Sequence, residues 1–154
     1  MIEGGEPSVV EFNVRFGDPE TQVVLPRLNT DLISVFMAIA QNRLSEVVLD
    51  WSDKACVCVV LASGGYPGDF KKGFPISGIL DANEVPGCHV VQAGTRMGVD
   101  GHLLTHGGRV LGVVGLGPTI AAAKDVAYLG VDKISFENMY FRRDIGARQL
   151  NRSA

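Results

Sequence analysis

Glu11, Asn13 and Arg15 alternate with Val10, Phe12, Val14 and Phe16 in the stretch VEFNVRF. In an extended strand, side chains two apart share a face and lie about 7 Å from one another, so the three polar tips can converge on one ligand. A carboxylate and an amide oxygen are hard donors that suit Mg²⁺, which takes one or two protein oxygens and leaves its other positions to phosphate and water. A guanidinium beside them can clamp a phosphate or carboxylate through two parallel hydrogen bonds. The same spacing also describes a strand face turned to solvent, and spacing alone leaves both readings open.

Other chemically interesting residue types yield less. Cys56 and Cys58 fall at i and i+2 in an apolar strand pattern, and a zinc site is offered only Cys88 and the adjacent His89, so the three thiols read as free and buried. His102 and His106 are four apart, but Gly101, Gly107 and Gly108 around them argue for a hairpin rather than two ligands on one helical face. RVLGVVGLGPTIAAAK has the outline of a dinucleotide fingerprint, yet Ile120 stands at the third glycine position and Pro118 intrudes in the turn. SGGYPGDFKKG lacks a Walker pattern; its backbone amides beside Lys71 and Lys72 could receive an anion, and turn chemistry alone also accounts for its glycines.

The elements that must position these residues can be read from the pattern. Residues 8–16 alternate as a strand, Gly17 ends it, Asp18 is a good N-cap, and Pro19 and Glu20 suit the first turn of a helix that Pro26 limits to about two turns. A second helix from residue 30 or 31 to about 43 carries the stripe Leu32, Val35, Phe36 and Ile39, and residues 44–53, with Trp51, read as a linker. From Lys54 the pattern changes to short strands and glycine-rich turns: ACVCVVLAS, PISGI, HVVQAG, and HLLTHGG with RVLGVVG as a hairpin. Pro118 and Thr119 open a helix to about residue 132 with Ile120, Ala123, Ala127 and Val131 buried, and a short strand follows near 133–136. The expected class is α+β, with residues 54–150 forming a largely antiparallel sheet covered by that helix.

Composition bounds the function. At 154 residues the chain has the size of one domain, or of one plus part of another, and 46% apolar with 20% charged residues is globular. A net charge of −3 without any block of like charge gives nucleic acid no electrostatic footprint, and the apolar runs are too short to span a bilayer. The amino terminus has neither a basic n-region nor an apolar h-region, which points to the cytoplasm.

The blocks EFNVRFGDPETQVVLPRL, ACVCVVLASGGYPGDFKKG, QAGT, THGGRVLGV and YFRRDIGAR, in this order and spacing, resemble the phosphoribosylamine–glycine ligase family, ATP-grasp enzymes also called glycinamide ribonucleotide synthetases. The resemblance covers essentially the whole chain but only the final third or so of the family's length. It implies that residues 1–53 are the C-terminal end of an ATP-grasp catalytic domain, that 54–150 are the family's C-terminal domain, and that the chain begins inside a longer protein. The implied reaction joins glycine to 5-phosphoribosylamine with ATP, through a glycyl phosphate, in purine biosynthesis. Glu11 and Asn13 then match the Mg²⁺ (or Mn²⁺) ligands, Arg15 the group offsetting charge on the transferred phosphoryl, and Asp18 a substrate contact. Lys71, Arg109 and Arg142 are the further substrate-binding residues, for the phosphoribosyl phosphate. Implied partners are ATP, glycine, 5-phosphoribosylamine and the missing N-terminal part, without which the chain should lack turnover. A reading of another class is a free-standing binding or regulatory module derived from the C-terminal domain; four polar residues kept at 11, 13, 15 and 18 favour the ligase.

Overall fold

The structure, a computed structural model, describes residues 2–12 and 14–150. Its first elements are a two-residue ladder, β1 (Ile2–Glu3) against β2 (Glu6–Pro7). The strand expected over residues 8–16 is absent among the described residues, and Asn13 lies outside them. Val9, Val10, Phe12 and Val14 are 73–93% exposed. The alternation is real, but a strand is stabilised by a ladder to a neighbouring strand and by a covered apolar face, and no strand among the described residues pairs with this stretch.

The first helix, α1, spans Thr21–Val24 and continues as a 3₁₀ turn through Leu25–Arg27. Asp18 does not cap it; Glu20 holds the N-cap position, and the Asp18 carboxylate is drawn into a distant contact described below. Helix α2, Leu32–Ala40, starts where the sequence indicates, because Asp31 accepts a hydrogen bond from the Ser34 amide at 2.8 Å. Only Val35 and Ala38 of α2 are buried, while Phe36 and Ile39 stay about half exposed. In the expected linker, Leu44–Glu46 makes a 3₁₀ turn and Trp51 bridges to Leu28.

From residue 55 the fold is a four-stranded antiparallel sheet. Its strands are β3 (Ala55–Ser63), β4 (Cys88–Gln92), β7 (Arg109–Gly117) and β8 (Met139–Tyr140), in the order β4-β7-β3-β8. A separate ribbon joins β5 (Thr95–Met97) to β6 (Leu103–Thr105). This corrects the expected hairpin: HLLTHGG turns back on β5, whereas RVLGVVG lies between β3 and β4 as an inner strand. A glycine-punctuated strand with both faces apolar is satisfied only by neighbours on both edges, and those come from distant segments. The short strand expected near 133–136 is reduced to a bridge between Ser135 and Ser77, and PISGI yields that bridge, one from Pro75 to Leu104, and the start of helix α3 (Ile79–Asn83).

Helix α4, Ile120–Val131, covers one face of the sheet, its N-terminus capped by the Thr119 hydroxyl accepting from the Ala122 amide. Ala123, Ala127 and Val131 meet Val57, Val59, Leu61 and Val113 in the core. The approach is close because β7 presents glycine: a Cβ on Gly115 would run into the Ala123 carbonyl. Burying each Val or Leu here contributes about 1.5–3 kcal/mol. At the outer edge, the amide of Val90 on β4 donates to the Asn83 side-chain oxygen at 2.8 Å.

Candidate functional site

Alternation along β3 sends Val57, Val59 and Leu61 toward α4 and turns Cys56, Cys58, Val60 and Ala62 to the opposite face. Helix α1 crosses that second face beside Cys56, whose thiol reaches the Gln22 carbonyl at 3.9 Å. Between the turn before α1 and the β8 edge lies a cleft of about 320 Å³. Its floor is Cys58, Val60 and Ala62, and its walls are Pro19, Tyr66, Tyr140, Phe141 and Ile145. Arg109 and Arg142 bring the positive charge.

Arg109 opens β7 and reaches back across 91 residues to the turn at Asp18. One guanidinium nitrogen donates to the Asp18 carbonyl at 3.0 Å and another pairs with its carboxylate at 3.1 Å. Gln22 donates to the other carboxylate oxygen at 3.1 Å. Arg142 is held by Asp144 in a fork, Nε at 2.9 Å and Nη2 at 2.7 Å from the two carboxylate oxygens. That fork pulls the Asp144 carboxyl below the usual carboxylate range and raises the Arg142 guanidinium. From α4, the Tyr128 hydroxyl donates to the Arg142 carbonyl at 2.7 Å and accepts the Ile145 amide at 3.3 Å, and Arg143 stacks 4.9 Å from the centre of the Phe141 ring.

Tyr66 takes its place because Gly108 has no side chain: a Cβ there would overlap the phenol ring. Cys58 lies in the floor, and burial pushes its thiol up to about 12, with Cys56 and Asp18 adding to the shift. A thiol so raised stays protonated near neutral pH and is a wall, not a nucleophile.

The structure therefore brings Arg109 and Arg142 to one cleft, with Asp18 paired to Arg109. Lys71 lines a separate depression of about 380 Å³ with Asp69, Phe70 and Asn138. Arg15 is turned to solvent with an ion pair to Glu20 at 3.9 Å, and Glu11 is exposed. Asn13 lies outside the described residues. Tyr66, Tyr140, Phe141 and Asp144 were not singled out from sequence. Tyr66 could have been, as one of two large rings, with Phe70, in a glycine-rich turn that could receive an anion, and Asp144 as a carboxylate two residues from Arg142. Among the described residues no group of three His, Cys, Asp or Glu side chains is placed to hold a metal. No helix among them is long and apolar enough to cross a membrane.

Residues 56–148 match the family described as phosphoribosylglycinamide synthetase, C domain. The chain is 49% identical over 147 residues to the phosphoribosylamine–glycine ligase of Caldanaerobacter subterraneus subsp. tengcongensis, covering 96% of this chain and 34% of that protein. It is 43% identical over 148 residues to the Escherichia coli ligase of the same name, again 96% of this chain and 34% of the relative. The crystal structure of the Thermotoga maritima phosphoribosylamine–glycine ligase superposes with a TM-score of 0.70 at 33% identity, over 94% of this chain and 34% of that one. The chain thus spans about a third of the length of the relatives it matches.

Proposed function

Because the chain belongs to the family of phosphoribosylglycinamide synthetase C domains, we propose that it supplies the C-terminal part of a phosphoribosylamine–glycine ligase. In that reading residues 1–53 complete an ATP-grasp catalytic domain and 54–150 form the C-terminal domain beside it. The observation that carries it is the match of nearly the whole chain to ligases at 43–49% identity. The reaction is ligation of glycine to 5-phosphoribosylamine in cytoplasmic purine biosynthesis. The glycine carboxylate takes the γ-phosphoryl of ATP, releasing ADP; the amine then attacks the acyl phosphate carbonyl and expels phosphate.

Each residue has a role in this scheme. Glu11 is a solvent-facing hard oxygen donor, the chemistry that suits Mg²⁺ or Mn²⁺. Together with Asn13 it would hold the ion, which when bound neutralises phosphate charge. Arg15 offsets negative charge on the transferred phosphoryl group. Arg109 and Arg142 in the cleft, and Lys71 in its separate depression, are the cations for the phosphoribosyl phosphate, and Asp18 stands on the acceptor side. The cleft's carbon walls at Tyr66 and Phe141 suit the faces of a sugar ring.

The test is glycine- and phosphoribosylamine-dependent ADP release. The chain alone should give none, and mixing it with the upstream two-thirds of a ligase should restore turnover. Wild-type mixtures that bind each other yet remain inactive would refute the assignment.

A further inference from the structure

The Asp18–Arg109 contact joins the turn after residues 8–16 to β7, one of the two inner strands of the sheet. Its geometry is two-point: one guanidinium grips both the backbone carbonyl and the side chain of a single residue, which fixes orientation as well as distance. With Gln22 on the remaining carboxylate oxygen, both Asp18 oxygens are engaged inside the chain. The turn is tied further by Thr21, whose amide and hydroxyl both donate to the Gly17 carbonyl, at 2.9 and 2.6 Å. At the other end, Arg109 is followed by fully buried Val110 and Leu111, so the anchor is rigid. The ion pair of Arg15 with Glu20 is long and exposed on both sides, and an ion pair of that kind fixes little.

From this we infer that Asp18 and Arg109 form a positioning clasp: it holds the turn at 17–20 against the sheet and thereby sets where Glu11 and Arg15 stand relative to the cleft. The role of the positioned segment rests on the ligase reading; the clasp itself does not. Both side chains are nearly half exposed, so the clasp serves geometry more than global stability.

Hydrogen exchange by NMR on this chain tests it, with Arg109→Met, Arg109→Lys and Asp18→Asn. The amides of Thr21 and Val24 report on the turn, and those of Val59 and Val113, paired across β3 and β7, report on global opening. In Arg109→Met, Thr21 and Val24 should exchange about three- to tenfold faster, with Val59 and Val113 unchanged. Asp18→Asn keeps the carbonyl contact and should fall between, and Arg109→Lys should recover part of the protection. An unchanged Thr21, or equal acceleration at Val113, overturns the clasp. In the chain assembled with the upstream part of the ligase, the same variants should lower kcat at constant KM for ATP, with Arg109→Lys partly rescuing. Faster exchange with unchanged kcat overturns the positioning role and leaves the ligase assignment standing. An inactive wild-type assembly overturns the ligase assignment, while the exchange data still decide the clasp.

Discussion

The Tyr128 hydroxyl donates to the Arg142 carbonyl oxygen at 2.7 Å, so helix α4 carries the basic turn of a cleft that opens on the far face of the sheet. The Tyr128 hydroxyl oxygen in turn accepts the Ile145 amide at 3.3 Å and the Tyr128 ring packs against Phe141, which makes this one residue the hinge pin of the 141–145 segment. Tyr128→Phe keeps the ring and removes both bonds. It should cost about 1 kcal/mol, because the Arg142 carbonyl and Ile145 amide can turn to water. Urea unfolding gives the loss, and NMR shifts at Arg142 and Asp144 should show it is local.

Gly108→Ala should be more damaging. The added methyl meets the Tyr66 ring directly, and the ring can escape only by leaving the cleft wall. A loss of about 1–3 kcal/mol is expected, the range for overpacking, with increased Tyr66 fluorescence quenching by acrylamide. Adding Tyr66→Ala to Gly108→Ala should make the second substitution nearly neutral; an additive pair would contradict the contact.

Cys58 predicts a pH dependence of stability. Burial raises its thiol from the ordinary 9.0 to about 12. Below pH 9 both folded and unfolded chains keep the proton and nothing is lost. Between 9 and 12 the unfolded chain sheds the proton while the folded one retains it, so stability falls as pH rises through that window. The Cys58→Ala variant should show a shallower decline in urea midpoint between pH 8.5 and 10.5. At pH 8, iodoacetamide should label Cys56 and Cys88 before Cys58.

Two truncations separate the roles of the N-terminal residues. Chymotrypsin should cut after Phe12 or Phe16 before any site between Ala55 and Tyr140, as mass spectrometry can record, since Phe12 is 83% exposed. Deleting residues 1–16 should leave the Tm within a few degrees. Deleting 1–53 should lower it clearly, because α1 then no longer covers Cys56 and Gly112 on the second sheet face.

Local signals were read well where the cause is local. The α4 stripe, the Thr119 start and the Asp31 cap follow from spacing and capping chemistry, and ACVCVVLAS is a strand to the residue. The sequence reading failed where partners are distant. Asp18 has every property of an N-cap, but an arginine 91 residues away competes for it and wins. HLLTHGG and RVLGVVG look like hairpin arms until β3 and β4 claim the second of them. Residues 8–16 show the converse case, a legible strand pattern that joins no sheet among the described residues. In the cleft, Arg109 and Arg142 had been named from the sequence, whereas the seating of Tyr66 against Gly108 and of Phe141 against Tyr128 of α4 joins residues far apart in the chain, which no short window reveals.

The Asn83 carboxamide on Val90 has a consequence for how the molecule behaves in a crowd. An outer strand with a bare row of amides is a template on which another copy can grow. Here a side chain from the preceding helix plugs a socket in the middle of β4, so a passing strand finds its register interrupted there. The amide is quieted without a charge or a proline, and this edge of the sheet is guarded by obstruction.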